Sequence, residues 1–268
     1  MKKFLATQKL VRSIENKIKK ILKNRPLVCL TANNIYTAEI LDEVCDIILV
    51  GDSLGMVLYG ENTTEKVSLD MMINHGKAVR KGIKKSLMVV DMPYKTYKNK
   101  SEALRNAKKI TKQTKCDAVK LEGGSSISKI IEHLVKNKIP VMGHLGILPQ
   151  SAKGKFKFKG KVPKERKKIL NDAKLLQKIG VFSIVLECVE KTLSKEITSI
   201  LKIPTIGIGS SKYCDGQVLV IDDLIGLNET KIKFVKKFGN IKKNISEAVY
   251  KFKKEVISKK YPTKKYSY

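Results

Sequence analysis

Short apolar runs alternate with amphipathic stretches along most of this chain, and few folds accept that rhythm. The runs are 26–32 (PLVCLTA), 46–51 (DIILVG), 86–92 (SLMVVDM), 118–123 (AVKLEG), 140–146 (PVMGHLG), 182–189 (FSIVLECV), 204–209 (PTIGIG) and 216–221 (GQVLVI). Each is rich in Leu, Ile or Val and nearly continuous in apolar character, as strands buried on both faces should be. Between them, 36–45, 69–82, 101–115, 126–137, 164–180 and 192–201 carry apolar residues at three- and four-residue spacing, the period of a helix with one buried face. Only a loop fits between the last two runs. Eight strands alternating with helices predict an α/β fold of the (β/α)8 TIM-barrel type, with an open parallel sheet as the structural alternative. At 268 residues the chain matches one such domain. The expectation is a single barrel domain over 1–268, ending in a helical, Lys-rich segment at about 228–258 and a mobile tail at 261–268.

Four of the runs end on an acid: Asp52, Asp91, Glu122 and Glu187. An ionised carboxylate leaving an apolar strand needs a cation, a donor or water. In a parallel barrel these exits converge on one mouth, where active sites sit. Asp52 and Ser53 lie between Gly51 and Gly55, so a backbone turn with close ligand approach and a simple helix cap are both open readings. Paired Asp oxygens suit Mg2+, which takes one or two protein carboxylates and completes its shell with water and substrate. Lys120 and Glu122 alternate onto one side of their strand, so both reach the site only if that side is the barrel interior. Glu187 is either a satisfied core carboxylate or a general base tuned by partial desolvation.

Histidine is scarce. His144, beside Gly143 and Gly146, is a possible site-lining residue, whereas His75 and His133 read as helix-surface residues. The three are too dispersed for a zinc motif. The five cysteines are scattered without a CxxC pair, which fits buried thiols in a cytoplasmic protein better than a disulfide framework. No apolar stretch is long enough to span a membrane.

The net charge of +30 suggests nucleic acid at first sight, but 50 of the 55 basic residues are Lys and only five are Arg. Bidentate readout of bases and phosphates favours Arg. A solvated Lys-rich surface, with no specific nucleic-acid partner, is the simpler reading. The basic segment 153–161 after the fifth run reads as a long loop, either a small hairpin or lid strand or a segment with a binding role.

Taken together, LTANN (30–34), LVGDSLGMVLYG (49–60), VVDMPY (89–94), VKLEGG (119–124), PVMGHLGILPQS (140–151), LECV (186–189), IPTIGIG (203–209) and DGQVLVIDDLIGL (215–227) closely resemble the ketopantoate hydroxymethyltransferase family. The resemblance runs across nearly the whole chain. It implies a decameric (β/α)8 enzyme of pantothenate biosynthesis. Such an enzyme transfers a hydroxymethyl group from 5,10-methylenetetrahydrofolate to 3-methyl-2-oxobutanoate, giving 2-dehydropantoate. By resemblance, Asp52, Asp91 and Glu122 form the Mg2+ side of the site. Asp52, Ser53, Asp91 and Lys120 contact the keto acid, and Glu187 is the proton acceptor. The chain departs from the family pattern at Asn33-Asn34, where Tyr-Asp is usual, and at Ser210-Ser211, where the pattern has Ala-Gly. A metal-dependent carbon–carbon lyase is the enzymatic rival, but the KKCGH-like loop typical of such lyases is absent. A non-catalytic polyanion binder is the rival from another class.

Overall fold

The computed structural model describes residues 13–152, 158–229 and 232–268, and these divide into two compact units, 1–220 and 221–268. In the first unit all eight apolar runs are strands: β1 Leu27–Thr31, β2 Ile47–Val50, β3 Leu87–Asp91, β4 Ala118–Glu122, β5 Val141–Gly146, β6 Ser183–Glu187, β7 Thr205–Ile208 and β8 Gly216–Leu219. Each pairs in parallel with the next, and β8 closes on β1, so the sheet is a closed barrel and the open alternative is excluded.

One helix, α1 at 13–22, precedes β1. The others follow strands: α2 Ile35–Asp42, α3 Leu54–Val57, α4 Leu69–Gly82, α5 Lys100–Thr114, α6 Ser128–Lys136, α7 Pro163–Ile179 and α8 Lys191–Ile200. Their starts follow ordinary capping chemistry: the side chains of Asn34, Ser68 and Asn99 accept backbone N–H bonds at the first turns of α2, α4 and α5. Asn34, one of the two departures in the first strand's exit, therefore serves the helix. No helix separates β7 from β8, as expected.

Alternation along the strands sets up the interior. One core cluster joins Leu27, Cys29, Ile47, Leu49, Leu87, Val89, Ala118, Met142, Phe182, Val185, Ile206 and Val218, none of them beyond the third residue of its strand. Ile14 and Ile18 of α1 belong to the same cluster, so this helix plugs the N-terminal end of the barrel. The opposite end is left to the polar residues at the strand exits.

In the second unit, α9 Ile221–Leu224 is followed by α10 Ile241–Ile257. The expected helix at 228–258 is thus shorter, and among the described residues 228–240 are not helical. Asn240 caps α10 by accepting from Lys243 N at 3.2 Å, which fixes the later start. The tail is not featureless: Lys264–Tyr266 forms a 3-10 turn, and the Tyr261 ring meets Phe252 edge-on at 5.4 Å. Of the basic segment, 153–157 lie outside the described residues, while Lys159 forms a parallel bridge with Val189. Among the described residues no helix is long and apolar enough to cross a membrane.

Candidate functional site

The barrel brings the acid-tipped exits together. Register places Asp91 beside Lys120, Glu122 beside His144, and Gly146 beside Glu187. Asp52, Asp91, Lys120, Glu122 and His144 are all buried, an unusual concentration of ionisable groups for a protein interior.

Their contacts form one network. Lys120 Nζ lies 3.0 Å from Asp91 Oδ1 and 3.4 Å from His144 Nδ1. The backbone N–H of Asp52 donates to Asp91 Oδ2 at 3.1 Å, which ties the exits of β2 and β3. On the other side of the imidazole, His144 Nε2 faces Glu187 Oε2 at 3.3 Å, and Nδ1 stands 3.7 Å from Glu122 Oε1. Gly146 has φ +102°, and a Cβ there would come within 2.1 Å of Glu187 O, so only glycine lets β5 and β6 close beneath this group.

Ser53 sits at the start of α3 without a side-chain capping bond, so the capping reading of the Asp52-Ser53 pair fails. A Cβ on Gly51 would lie 3.1 Å from Ser53 Oγ and 3.8 Å from Asp91 Oδ2, so the bare glycine fronts both groups. The seven sequence candidates therefore fall at one end of the barrel.

Electrostatics distinguishes the members. Burial, and then the charge of Asp91, pushes the Asp52 carboxyl up to about 7. Burial likewise raises Glu122 well above the usual carboxylate range. Burial works against the Lys120 charge, but Asp91, Glu122 and Asp52 more than offset it and raise its pKa. His144 is lowered by burial and by Lys120, which favours the neutral ring. With Lys120 donating to Nδ1, the remaining N–H belongs on Nε2, which faces Glu187 Oε2 at 3.3 Å.

Four carboxylates thus share one buried ammonium and a neutral imidazole. The surplus of negative charge and the hard oxygen donors fit a divalent cation such as Mg2+. Among the described residues no three His, Cys, Asp or Glu side chains form a ready-made metal cluster. Asp91 is engaged by Lys120, so the donor set fits an ion that uses one or two carboxylates and takes its other ligands from water and substrate.

Two residues of this neighbourhood escaped the sequence reading. Gln150, 2% exposed, donates through Nε2 to Asp52 Oδ2 at 2.6 Å and to Met92 O at 2.9 Å. Its backbone N–H donates to Glu122 Oε2 at 3.0 Å, and its Oε1 accepts from Tyr97 OH. Gln150 was visible only as part of the PQS motif, and Tyr97 gave no signal. His75 also differs from expectation: it is half-buried, with Nδ1 2.6 Å from Asn33 O and Nε2 3.0 Å from Tyr59 OH. The five cysteines are all free, in keeping with the reading against disulfides.

The second departure from the family pattern also has a structural role. Ser210 Oγ donates to Leu186 O at 2.7 Å and accepts from Val189 N at 3.0 Å. It braces the turn after Glu187, where Cys188 adopts φ +49°.

A family model described as ketopantoate hydroxymethyltransferase matches residues 12–264. The 3-methyl-2-oxobutanoate hydroxymethyltransferase of Pelagibacter ubique is 63% identical over 257 residues, covering 96% of this chain and 99% of the relative. That of Rhizobium etli is 49% identical over 242 residues, covering 89% of each. Among solved structures, a phosphonopyruvate hydrolase complex with oxalate and Mg++ matches with a TM-score of 0.60 at 10% identity, over 96% of this chain and 93% of that one. A phosphoenolpyruvate phosphomutase from Streptomyces platensis subsp. rosaceus gives a TM-score of 0.59 at 9% identity, over 91% and 88%. At such identities the structural likeness speaks for the barrel alone.

Proposed function

Because this chain belongs to the ketopantoate hydroxymethyltransferase family, and is accordingly a hydroxymethyl-transferring enzyme of pantothenate biosynthesis, we propose that its barrel mouth acts through an enolate of 3-methyl-2-oxobutanoate. The one-carbon donor is 5,10-methylenetetrahydrofolate and the product is 2-dehydropantoate. The observation that carries the reading is the convergence of Asp52, Asp91, Glu122 and Glu187 around Lys120 and His144.

Asp52 and Asp91 would hold Mg2+, with Glu122 in its immediate surroundings. The ion, when bound, supplies Lewis-acid charge for the oxygen that becomes negative on enolisation. Lys120 and Ser53 hold the keto acid: the ammonium offsets the substrate's charge and the hydroxyl orients it. Glu187 takes the C3 proton as general base. His144 Nε2 stands 3.3 Å from Glu187 Oε2 and fronts that oxygen, while the carboxylate's other oxygen remains to accept the proton. The carbon so exposed bonds to the methylene carbon carried by the folate; as that carbon's two C–N bonds break, water supplies the hydroxyl and one proton, the C3 proton taken by Glu187 supplies the other, and tetrahydrofolate leaves.

A cytoplasmic location fits the five free thiols. A homo-oligomer, a decamer by family resemblance, is supported by apolar side chains left exposed on α2 (Tyr36, Ile40), just after it (Val44) and on α10 (Ile245, Val249, Val256). The test is thermal melting with Mg2+ and 3-methyl-2-oxobutanoate. The two together should raise the melting temperature more than either alone, because ligands that bind only the folded state stabilise it. A shift produced by polyanions and not by this pair would favour the polyanion-binding reading instead.

A further inference from the structure

Gln150 stands outside the residues that handle substrate, yet it has more site contacts than any simple loop anchor needs. It belongs to the loop after β5, and its bonds reach the exits of three other strands: Asp52 after β2, Met92 after β3 and Glu122 at the end of β4. A link to Met92 O would suffice to pin the loop. The shorter bond, at 2.6 Å, goes to the Asp52 carboxylate instead.

The amide has little freedom to do otherwise. Nε2 faces two acceptors, which spends both of its N–H groups, so Oε1 must face a donor. Tyr97 OH is that donor, from the loop after β3. Tyr97 is itself half-buried and cannot pivot freely. With Tyr97 holding Oε1, the amide cannot flip, and its N–H groups stay aimed at Asp52 and Met92 O. The same residue's main chain holds Glu122. One residue thereby sets the spacing of two carboxylates that belong to different strands.

We propose, resting on the functional reading above, that Gln150 is a positioning residue which, braced by Tyr97, fixes Asp52 and Glu122 as one oxygen face for Mg2+ and the keto acid. Freed of that amide, Asp52 must hold its rotamer unaided, and the metal must bear the cost of ordering it. Groups that orient metal ligands in this way typically change affinity about 10–100-fold when removed.

The test is calorimetric titration of Mg2+ into the full chain at saturating 3-methyl-2-oxobutanoate, with melting temperatures recorded alongside. Gln150→Leu should raise the Mg2+ Kd about tenfold or more. Tyr97→Phe, which removes a single hydroxyl, should raise it about threefold. The double variant should be little worse than Gln150→Leu alone, because the proposal has Tyr97 act chiefly through the amide. If Gln150→Leu proves too unstable to titrate, Tyr97→Phe alone carries the test.

A lowered melting temperature with an unchanged Mg2+ Kd would mean that Gln150 only anchors a loop, and would overturn the proposal. Additive losses in the double variant would overturn Tyr97's part in it. Failure of the wild-type chain to bind Mg2+ and keto acid would instead sink the functional reading, and this inference with it.

Discussion

Asp42 and Asp52 flank the same strand, β2, and each is only 4% exposed, yet their environments drive them in opposite directions. Burial alone would raise Asp42, but the backbone N–H groups of Ser86, Lys84 and Lys85 hold it down at about 2. Asp52 has burial and the charge of Asp91 against it and rises to about 7. The first acid is satisfied by the fold and fastens the loop before β3. The second is left wanting positive charge, a state that proteins keep where a ligand will supply it. Surface exposure is the same at both; the depth of burial, the nearby charges and the donors around them differ.

That contrast orders the consequences of breaking each region. The largest effect belongs to the mouth and should be purely chemical. Glu187→Gln is expected to cut turnover about 10²–10⁴-fold, the usual worth of a general base, with calorimetric binding of Mg2+ and keto acid retained. Unimpaired turnover would remove Glu187 as the base.

Next comes Asp52→Asn. It should weaken Mg2+-dependent keto acid binding at least about tenfold. Stability at pH 8 should hold or increase, since a buried charge is relieved. A variant that binds normally but unfolds easily would make Asp52 a structural acid like Asp42.

Asp42→Asn should do the reverse. Losing charge-assisted bonds to three backbone amides costs about 1–3 kcal/mol of unfolding free energy in denaturant titrations, while the Mg2+ Kd stays at the wild-type value.

The smallest effect is the pH dependence of the ligand-free chain. Asp42 lies below the usual 3.8, so its contribution is present above about pH 4 and fades as pH falls towards 2. Asp52 lies above it, so the folded chain keeps a proton that the unfolded chain releases between pH 3.8 and about 7. Stability from Asp52 therefore falls as pH rises through that window. Subtracting the Asp52→Asn melting profile from the wild-type one should expose this slope, and a flat difference would contradict it.

The fold was largely legible because burial on both faces forces apolar continuity. Runs such as VVD and VKLEG showed both where a strand lies and where it ends. The mouth acids could be read for a related reason: a charge that closes an apolar run has no local partner in the sequence. Asp42 offered no such signal, since it ends the helix α2 rather than an apolar strand run and takes its donors from more than forty positions away. Gln150 was hidden in the same way, because its bond to Asp52 spans 98 positions and depends on a loop folding back over the barrel. The plug α1 was missed although Ile14, Ile18, Ile21 and Leu22 follow a helical spacing, because a helix before the first strand lies outside the alternation that defined the other elements. The late start of α10 was missed for want of weight on Asn240, a good capping residue inside a Lys-rich stretch.

The central claim is that the unsatisfied acids of the mouth generate an enolate. It is tested most directly by exchange of the C3 proton of 3-methyl-2-oxobutanoate in D2O, followed by NMR without any folate. The wild-type chain should exchange this proton when Mg2+ is present, should slow sharply when Mg2+ is chelated, and should fall to the uncatalysed rate as Glu187→Gln. Exchange that ignores both Mg2+ and Glu187, or no exchange under any condition, would contradict the account.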